Sequence, residues 1–136
     1  MDIRQHILLA DDLPRAPVRA WGTDFFVRTM TAAERDDFEA ALFVARMKEE
    51  SDEDYAERRR AATRNLRSKL VVKVAIDADG KRIFADEDAP LLGEKSNKEL
   101  QKVFDAISKL NAIGEEEIKE LEKNSGAAPG GESSSA

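Results

Sequence analysis

The segment Ser96-Asn-Lys-Glu-Leu-Gln-Lys-Val-Phe-Asp-Ala-Ile-Ser-Lys-Leu110 carries the clearest structural signal of the chain. Ser96 and Glu99 have the spacing of a capping box, in which each side chain accepts a hydrogen bond from the other residue's backbone N–H. The apolar residues that follow recur at helical spacing and share one face: Leu100, Val103, Phe104 and Ile107. We therefore predict a core helix that stops at Gly114, followed by a short helix over residues 115–123.

The region before this helix contains a strong turn signal, Asp77-Ala-Asp-Gly80. Residues 70–76 are rich in β-branched side chains, and Lys81-Arg-Ile-Phe84 follows the turn. We predict a β-hairpin here, with Gly80 at positive φ and the aspartates hydrogen-bonded to the local backbone. The alternative is that residues 70–76 continue the preceding helix.

A second capping box, formed by Thr31 and Glu34, opens an earlier helix. Its apolar residues occupy two adjoining faces, one with Phe38, Ala41, Leu42 and Ala45, the other with Ala40, Phe43, Val44 and Met47. Over residues 40–47 the predicted helix is apolar nearly all round, which a surface helix of a single domain does not require. This stretch is therefore either central in the core or part of a subunit contact. We hypothesise that Phe43, Val44 and Met47 contribute to such a contact.

Acidic and basic residues form two separate blocks in the middle of the chain. Residues 49–57 contain six acids, and residues 58–73 contain seven bases and no acid. Ser51 or Asp52 is a plausible cap for a helix that runs to about Leu70, because acids at its start and bases toward its end complement the helix dipole. The basic run lacks interleaved aromatic residues, so a solvated helix face or a charge-complementary subunit contact is favoured over a nucleic-acid stripe.

The remaining segments set the domain boundaries. Residues 1–17 are predicted to be an N-terminal arm, and residues 124–136 a flexible tail poor in side chains that could be buried. Residues 18–29 fit two short strands around a turn, or else an irregular segment that plugs the core. Residues 18–123 should form one compact, mainly helical domain with small β-hairpins. Pairing of the hairpins would make the fold α+β, and we favour separate hairpins.

Composition narrows the classes of function. The net charge of −6 disfavours nucleic-acid binding, and the absence of cysteine excludes disulfides, thiol catalysis and cysteine-ligated metals. No apolar stretch approaches the roughly 18 residues of a membrane span, and the chain start does not resemble a signal peptide. His6 is the single histidine, and residues 77–88 depart from the calcium-loop pattern because glycine is fourth rather than sixth. We therefore expect a protein that binds proteins, with no cofactor or metal and no enzymatic activity.

Taken in order, several segments of the sequence resemble the tail assembly chaperones of long-tailed bacteriophages and prophages, of the lambda-like and HK97-like kind. The match covers residues 18–128, and the order and spacing of the segments carry it. These segments are Trp21-Gly22, Val27-Arg28, Thr31-Ala-Ala-Glu-Arg35, Asp77-Ala-Asp-Gly-Lys-Arg-Ile-Phe84, Leu92-Gly93, Lys109-Leu-Asn111, and Glu122-Lys-Asn-Ser125 leading into a Gly/Pro/Ser tail.

The resemblance implies a specific role. Such chaperones bind the tape-measure protein and the tail-tube protein in the host cell cytoplasm, act as oligomers, and are absent from the mature virion. Many are also made in a longer form by ribosomal frameshifting near the end of the gene, and Gly130-Gly-Glu132 lies where a shift could occur. The alternative is a small non-enzymatic adaptor or a structural virion protein.

Overall fold

The computed structural model describes residues 2–124. A small antiparallel sheet with strand order β1-β2-β3 packs among helices, which confirms the predicted mainly helical class. The elements in chain order are α1 (Ile3–Leu9), β1 (Arg15–Ala20), β2 (Thr23–Arg28), α2 (Ala32–Leu42), α3 (Asp52–Thr63), α4 (Leu66–Val74), β3 (Ala75–Ile76), a 3-10 turn (Asp86–Asp88), α5 (Ala89–Gly93), α6 (Asn97–Leu110) and α7 (Glu115–Asn124).

The first two strands form the hairpin that the sequence predicts around Gly22. Trp21 and Gly22 have φ angles of 51° and 72°, as the two-residue turns favoured in hairpins require. The inward face of the hairpin places Phe25 and Val27 in the core. β3 pairs with β2 through Val27 and Ala75, so the two β segments share one sheet rather than forming the separate hairpins that we favoured.

Helix α6 packs against β1 and β2 and buries the predicted face of Leu100, Val103, Phe104 and Ile107. The Ser96 hydroxyl accepts the N–H of Glu99 at 3.4 Å, but the reciprocal half of the predicted box is absent. Glu99 instead accepts the N–H of Trp21 at 2.7 Å, and this bond lowers the pKa of Glu99. The Glu99 carboxylate therefore binds the hairpin turn and not the N-terminus of α6, to which sequence spacing assigned it.

The end of α6 also differs from the prediction. The helix ends at Leu110, four residues before Gly114, and Ala112 adopts the left-handed conformation with φ of 52°. The Asn111 carboxamide accepts the N–H of Met30 at 2.7 Å and donates to Ile107 O at 2.9 Å. This side chain joins the helix end to the segment before α2. The following helix, α7, begins at Glu115 as predicted.

Helix α2 begins with the predicted capping box of Thr31 and Glu34, which is complete. Arg28 binds both carboxylate oxygens of Glu34 at 2.8 and 3.0 Å, and it also donates to Lys73 O at 2.9 Å. Burial raises the pKa of Glu34, but the hydrogen bonds from Arg28 and Thr31 outweigh burial, and the net pKa is lowered. Arg28 therefore ties β2 to both α2 and α4.

The single helix predicted from Ser51 to about Leu70 is two helices. Ser51 caps α3 as predicted, and the chain breaks at Asn65, which has a φ of 57°. α4 then continues to Val74, so most of the predicted strand over residues 70–76 is helical and only Ala75 and Ile76 are extended. Burial on several sides of α4 overrides the β preference of its valines, because strand preference depends strongly on packing context.

The turn after β3 is as predicted. Gly80 has a φ of 84°, and the Asp77 carboxylate accepts the N–H groups of Asp79 and Lys81 at 2.9 and 3.0 Å. The predicted second strand is reduced to one bridge between Ile76 and Arg82. Phe84 packs half-buried against the core.

Both ends of the compact domain, which we predicted over residues 18–123, lie elsewhere in the structure. β1 begins at Arg15, so the last three residues of the predicted arm belong to the sheet, and α1 occupies much of the remainder. Asn124, which we assigned to the tail, is buried at the end of α7 and donates to Leu42 O at 2.7 Å. The rest of the predicted tail, residues 125–136, lies outside the described residues. Within residues 2–124, no helix is long and apolar enough to cross a membrane.

Candidate protein-binding surface

The structure places the predicted contact residues in a loop, because α2 ends at Leu42 instead of continuing to residue 47. Phe43 is the C-cap, Val44 is half-buried, and the side chains of Phe43 and Met47 are 53% and 57% exposed. The alternative that Phe43 and Met47 lie in the core is therefore wrong. Their part in a protein contact stays a prediction.

Side chains of α3 hold this loop in place. The Tyr55 hydroxyl donates to Val44 O at 2.8 Å, and the Arg58 guanidinium donates to Ala45 O at 2.8 Å. The N–H of Met47 donates to the Glu50 carboxylate at 3.0 Å. The exposed apolar side chains therefore extend from a backbone that is fixed by hydrogen bonds.

Three arginines surround the ring of Tyr55. The guanidinium carbons of Arg46, Arg58 and Arg59 lie 5.3, 5.8 and 4.9 Å from the ring centroid, within the range of cation–π attraction. Arg46 also forms an ion pair with Asp52. The cluster joins the loop to the first turns of α3.

Glu50 links the loop to α3 through short hydrogen bonds. Its carboxylate accepts two hydrogen bonds from Arg58, at 2.6 and 2.7 Å. These bonds, together with the N–H of Met47, lower the pKa of Glu50 from 4.5 to about 2. A carboxyl group whose pKa is lowered on folding stabilises the fold above its unfolded pKa, and the contribution is lost as the pH falls toward the folded pKa.

We expect Glu50→Gln to lower the free energy of unfolding at neutral pH. The difference from the native protein should shrink as the pH falls from 4.5 to about 2, because Glu50 becomes protonated across this window. Urea titrations at a series of pH values measure this difference. Glu53→Gln, at an exposed position in the same acidic block, is the control and should show a smaller loss. A pH-independent difference for Glu50→Gln would contradict the assignment.

A shallow depression of about 590 Å³ lies beside the loop, with Met47 and Arg58 at its border. A deeper groove of about 720 Å³ lies between α3, α4, α6 and α7. The two share Glu57 and Ala61, so the surface continues from the loop into the groove. Core side chains floor the groove, including Leu66, Leu100, Phe104 and Leu121.

The predicted charge blocks are partly neutralised within the chain. Glu50 pairs with Arg58, Asp52 with Arg46, and Glu57 with Arg60. Within the described residues, the ion pairs within 4 Å do not include Arg64 or Arg67. Both of these arginines line the groove, so part of the surplus of positive charge lies along it.

Sequence reasoning missed one further apolar surface, the helix α1 within the predicted arm. Its exposed large side chains are Ile3, Ile7, Leu8 and Leu9, and none of its residues is buried. The signal was present in the sequence, since Asp2 and Gln5 have capping-box spacing and Ile3 and Ile7 are one helical turn apart. Two prolines after this segment directed the interpretation toward an arm.

The candidate catalytic and metal-binding residues remain dispersed. His6 lies on exposed α1, and the acids of residues 77–88 serve the turn and nearby ion pairs. Across residues 2–124, no group of three or more histidine and acidic side chains is arranged to hold a metal ion.

Comparisons of the chain with models of protein families, with curated proteins and with solved structures gave no significant match.

Proposed function

We propose that this protein is a non-enzymatic tail assembly chaperone of a long-tailed phage or prophage, working in the host cell cytoplasm. It binds the tape-measure protein and tail-tube subunits during tail morphogenesis and is absent from the mature virion. The observation that carries the binding role is the pair of exposed apolar side chains, Phe43 and Met47, on a hydrogen-bonded loop beside an open depression. The identity of the partners rests on the resemblance of the sequence to that family.

The chemistry of this surface suits such a client. A tape-measure protein is a long, helix-rich chain that exposes apolar seams until it is enclosed by the tail tube. Exposed apolar groups beside a depression can receive one face of such a helix, and the charged surface elsewhere keeps the complex in solution. Because the loop backbone is fixed by Tyr55, Arg58 and Glu50, little ordering cost opposes the contact.

We expect the double substitution Phe43→Ser with Met47→Ser to weaken binding of the tape-measure protein by roughly tenfold to a hundredfold, because two apolar anchors are lost. The melting temperature should change little, since both side chains are more than half exposed. Co-purification from cells that express both proteins, followed by titration calorimetry, gives the measurement. Leu91→Ser removes an equally exposed apolar side chain outside the depression and should bind normally. Unchanged binding by a folded double variant would remove the loop from the contact.

The alternative roles give a different distribution of the protein. A structural virion protein would co-sediment with purified phage particles, whereas a chaperone would be found in the lysate and be missing from the particles. A generic adaptor would also be missing from particles, but it would not co-purify with the tape-measure protein. Blotting both fractions with an antibody to the described domain separates a virion protein from the other two roles, and co-purification with the tape-measure protein separates the chaperone from the adaptor.

A further inference from the structure

The helix α1 exposes more apolar surface than its position explains. Its exposed aliphatic side chains, Ile3, Ile7, Leu8 and Leu9, have exposures between 62% and 80%. The helix has seven residues and is closed at its start by a complete capping box of Asp2 and Gln5. Isolated helices of this length are marginal in water, so packing against another surface is needed to maintain α1. A cluster of exposed aliphatic side chains is typical of an interaction surface.

The groove between α3, α4, α6 and α7 has the properties that such a helix requires. Its volume of about 720 Å³ lies within the usual range of binding clefts, and its floor is apolar. Five charged side chains line it, three bases and two acids: Arg60, Arg64, Arg67, Glu57 and Glu122. Arg60 pairs with Glu57, whereas Arg67 donates to a neutral acceptor, the Gln101 carboxamide, at 2.6 Å.

The charge of the segment after α1 is opposite to that of two arginines at the rim of the groove, Arg64 and Arg67. Asp11 and Asp12 follow the helix directly and are exposed. Arg64 is exposed at the end of α3, and Arg67 is half-buried, which lowers the pKa of its guanidinium although nearby Asp105 opposes the effect. The order of features in residues 3–12, a helix with exposed aliphatic side chains and then two acids, therefore matches an apolar floor beside Arg64 and Arg67.

We propose that residues 3–12 of one copy dock in the groove between α3, α4, α6 and α7 of a second copy. Ile3, Ile7 and Leu8, which share one side of α1, face the floor of the groove, and Asp11 and Asp12 lie beside Arg64 and Arg67. Each copy offers one helix and one groove, so two copies can exchange helices in a closed dimer, or the contact can repeat head to tail in rings or chains. This contact does not depend on the proposed function, because it requires only this chain.

The full-length native protein should therefore form assemblies whose mass rises with concentration in sedimentation velocity. Leu8→Asp places a charge at the contact and should weaken association by roughly a hundredfold. Leu91→Asp is the matched control, because Leu8 and Leu91 are both 65% exposed and Leu91 does not line the groove. The control should assemble normally. At a concentration where both variants are monomeric, circular dichroism should show the same melting temperature for the two, because neither side chain is buried in the fold.

A second variant, Arg64→Glu with Asn97→Glu, changes the groove rim at two exposed positions and should weaken association roughly tenfold. Adding Asp11→Lys and Asp12→Lys to this variant should restore association. At a concentration where the Leu8→Asp and the rim variants are each monomeric, their mixture should form dimers. In such a dimer the intact groove of the first binds the intact helix of the second.

Three results would overturn the proposal. One is a native protein that stays monomeric at all concentrations, which would leave the groove to its own α1 or to a different protein. Another is an equal effect of Leu8→Asp and Leu91→Asp. The third is a mixture of the Leu8→Asp and rim variants that forms no dimer. If the second result came with loss of tape-measure binding by Leu8→Asp, it would refute this contact while leaving the proposed function intact.

Discussion

Replacing Phe104 with alanine should lower the free energy of unfolding by about 3–5 kcal/mol, the usual cost of deleting a buried aromatic side chain. The side chain is 2% exposed and lies on the face of α6 that packs toward the sheet and α4. Domains of this size are typically stable by about 5–15 kcal/mol, so the variant should be close to unfolding at physiological temperature. Urea denaturation followed by circular dichroism measures the loss.

Leu91→Ala is the control for this prediction. Leu91 is a large apolar residue that is mostly exposed, so its loss should change stability by no more than about 0.5 kcal/mol. A loss below about 1.5 kcal/mol for Phe104→Ala would contradict the packing of α6. It would mean that the neighbouring elements can close around the missing ring.

Replacing Arg28 with alanine should cost about 3 kcal/mol. The side chains of Arg28 and Glu34 are 16% and 19% exposed, and removing one partner leaves the other charge poorly solvated. The carbonyl of Lys73 also loses its donor, which bonds at 2.9 Å. Thermal and urea denaturation of the single variants and of Arg28→Ala with Glu34→Gln complete a double-mutant cycle.

The matched control is Arg19→Ala in the neighbouring strand. Arg19 and Asp24 form an ion pair of the same length, 2.8 Å, but their side chains are 63% and 76% exposed. Exposed pairs contribute about 0–1 kcal/mol, so this variant should be nearly as stable as the native protein. Equal losses for Arg28→Ala and Arg19→Ala would show that burial does not distinguish the two pairs.

Local signals in the sequence were reliable where no distant residue competed for the same group. The capping box of Thr31 and Glu34, the cap at Ser51 and the turn at Gly80 are all present in the structure. The apolar face of α6 was also predicted correctly, because residues three or four positions apart lie on the same side of a helix. These elements required no knowledge of the rest of the chain.

The errors arose where a distant residue competes for the same group. Glu99 binds the N–H of Trp21, 78 positions away, and so leaves the cap of α6 incomplete. α2 ends at Leu42 because the following carbonyls, those of Val44 and Ala45, are bonded by Tyr55 and Arg58 of α3. In both cases the distant partner cannot be deduced from the spacing of residues in the sequence. For the same reason we preferred a strand for the valines of α4 over the continued helix, the alternative that proves correct up to Val74, since burial on several sides is a property of the whole fold.

The candidate surface was predicted only in part. The excess of apolar residues over residues 40–47 indicated either core or contact, and the exposure of Phe43 and Met47 excludes the core for those two side chains. α1 was missed because the prolines after it suggested an irregular arm. The groove could not be predicted at all, because its lining comes from α3, α4, α6 and α7 together. The partners follow from the resemblance to tail assembly chaperones and from no feature of the geometry.

Co-expression with the tape-measure protein of the same phage or prophage is the most direct test of the chaperone role. The quantity to measure is the fraction of the tape-measure protein that stays soluble and co-elutes with this chain in size-exclusion chromatography. We predict that this fraction rises steeply when the native chain is present and falls back for the variant with Phe43→Ser and Met47→Ser. A tape-measure protein that is equally insoluble with and without the native chain would contradict the proposed function.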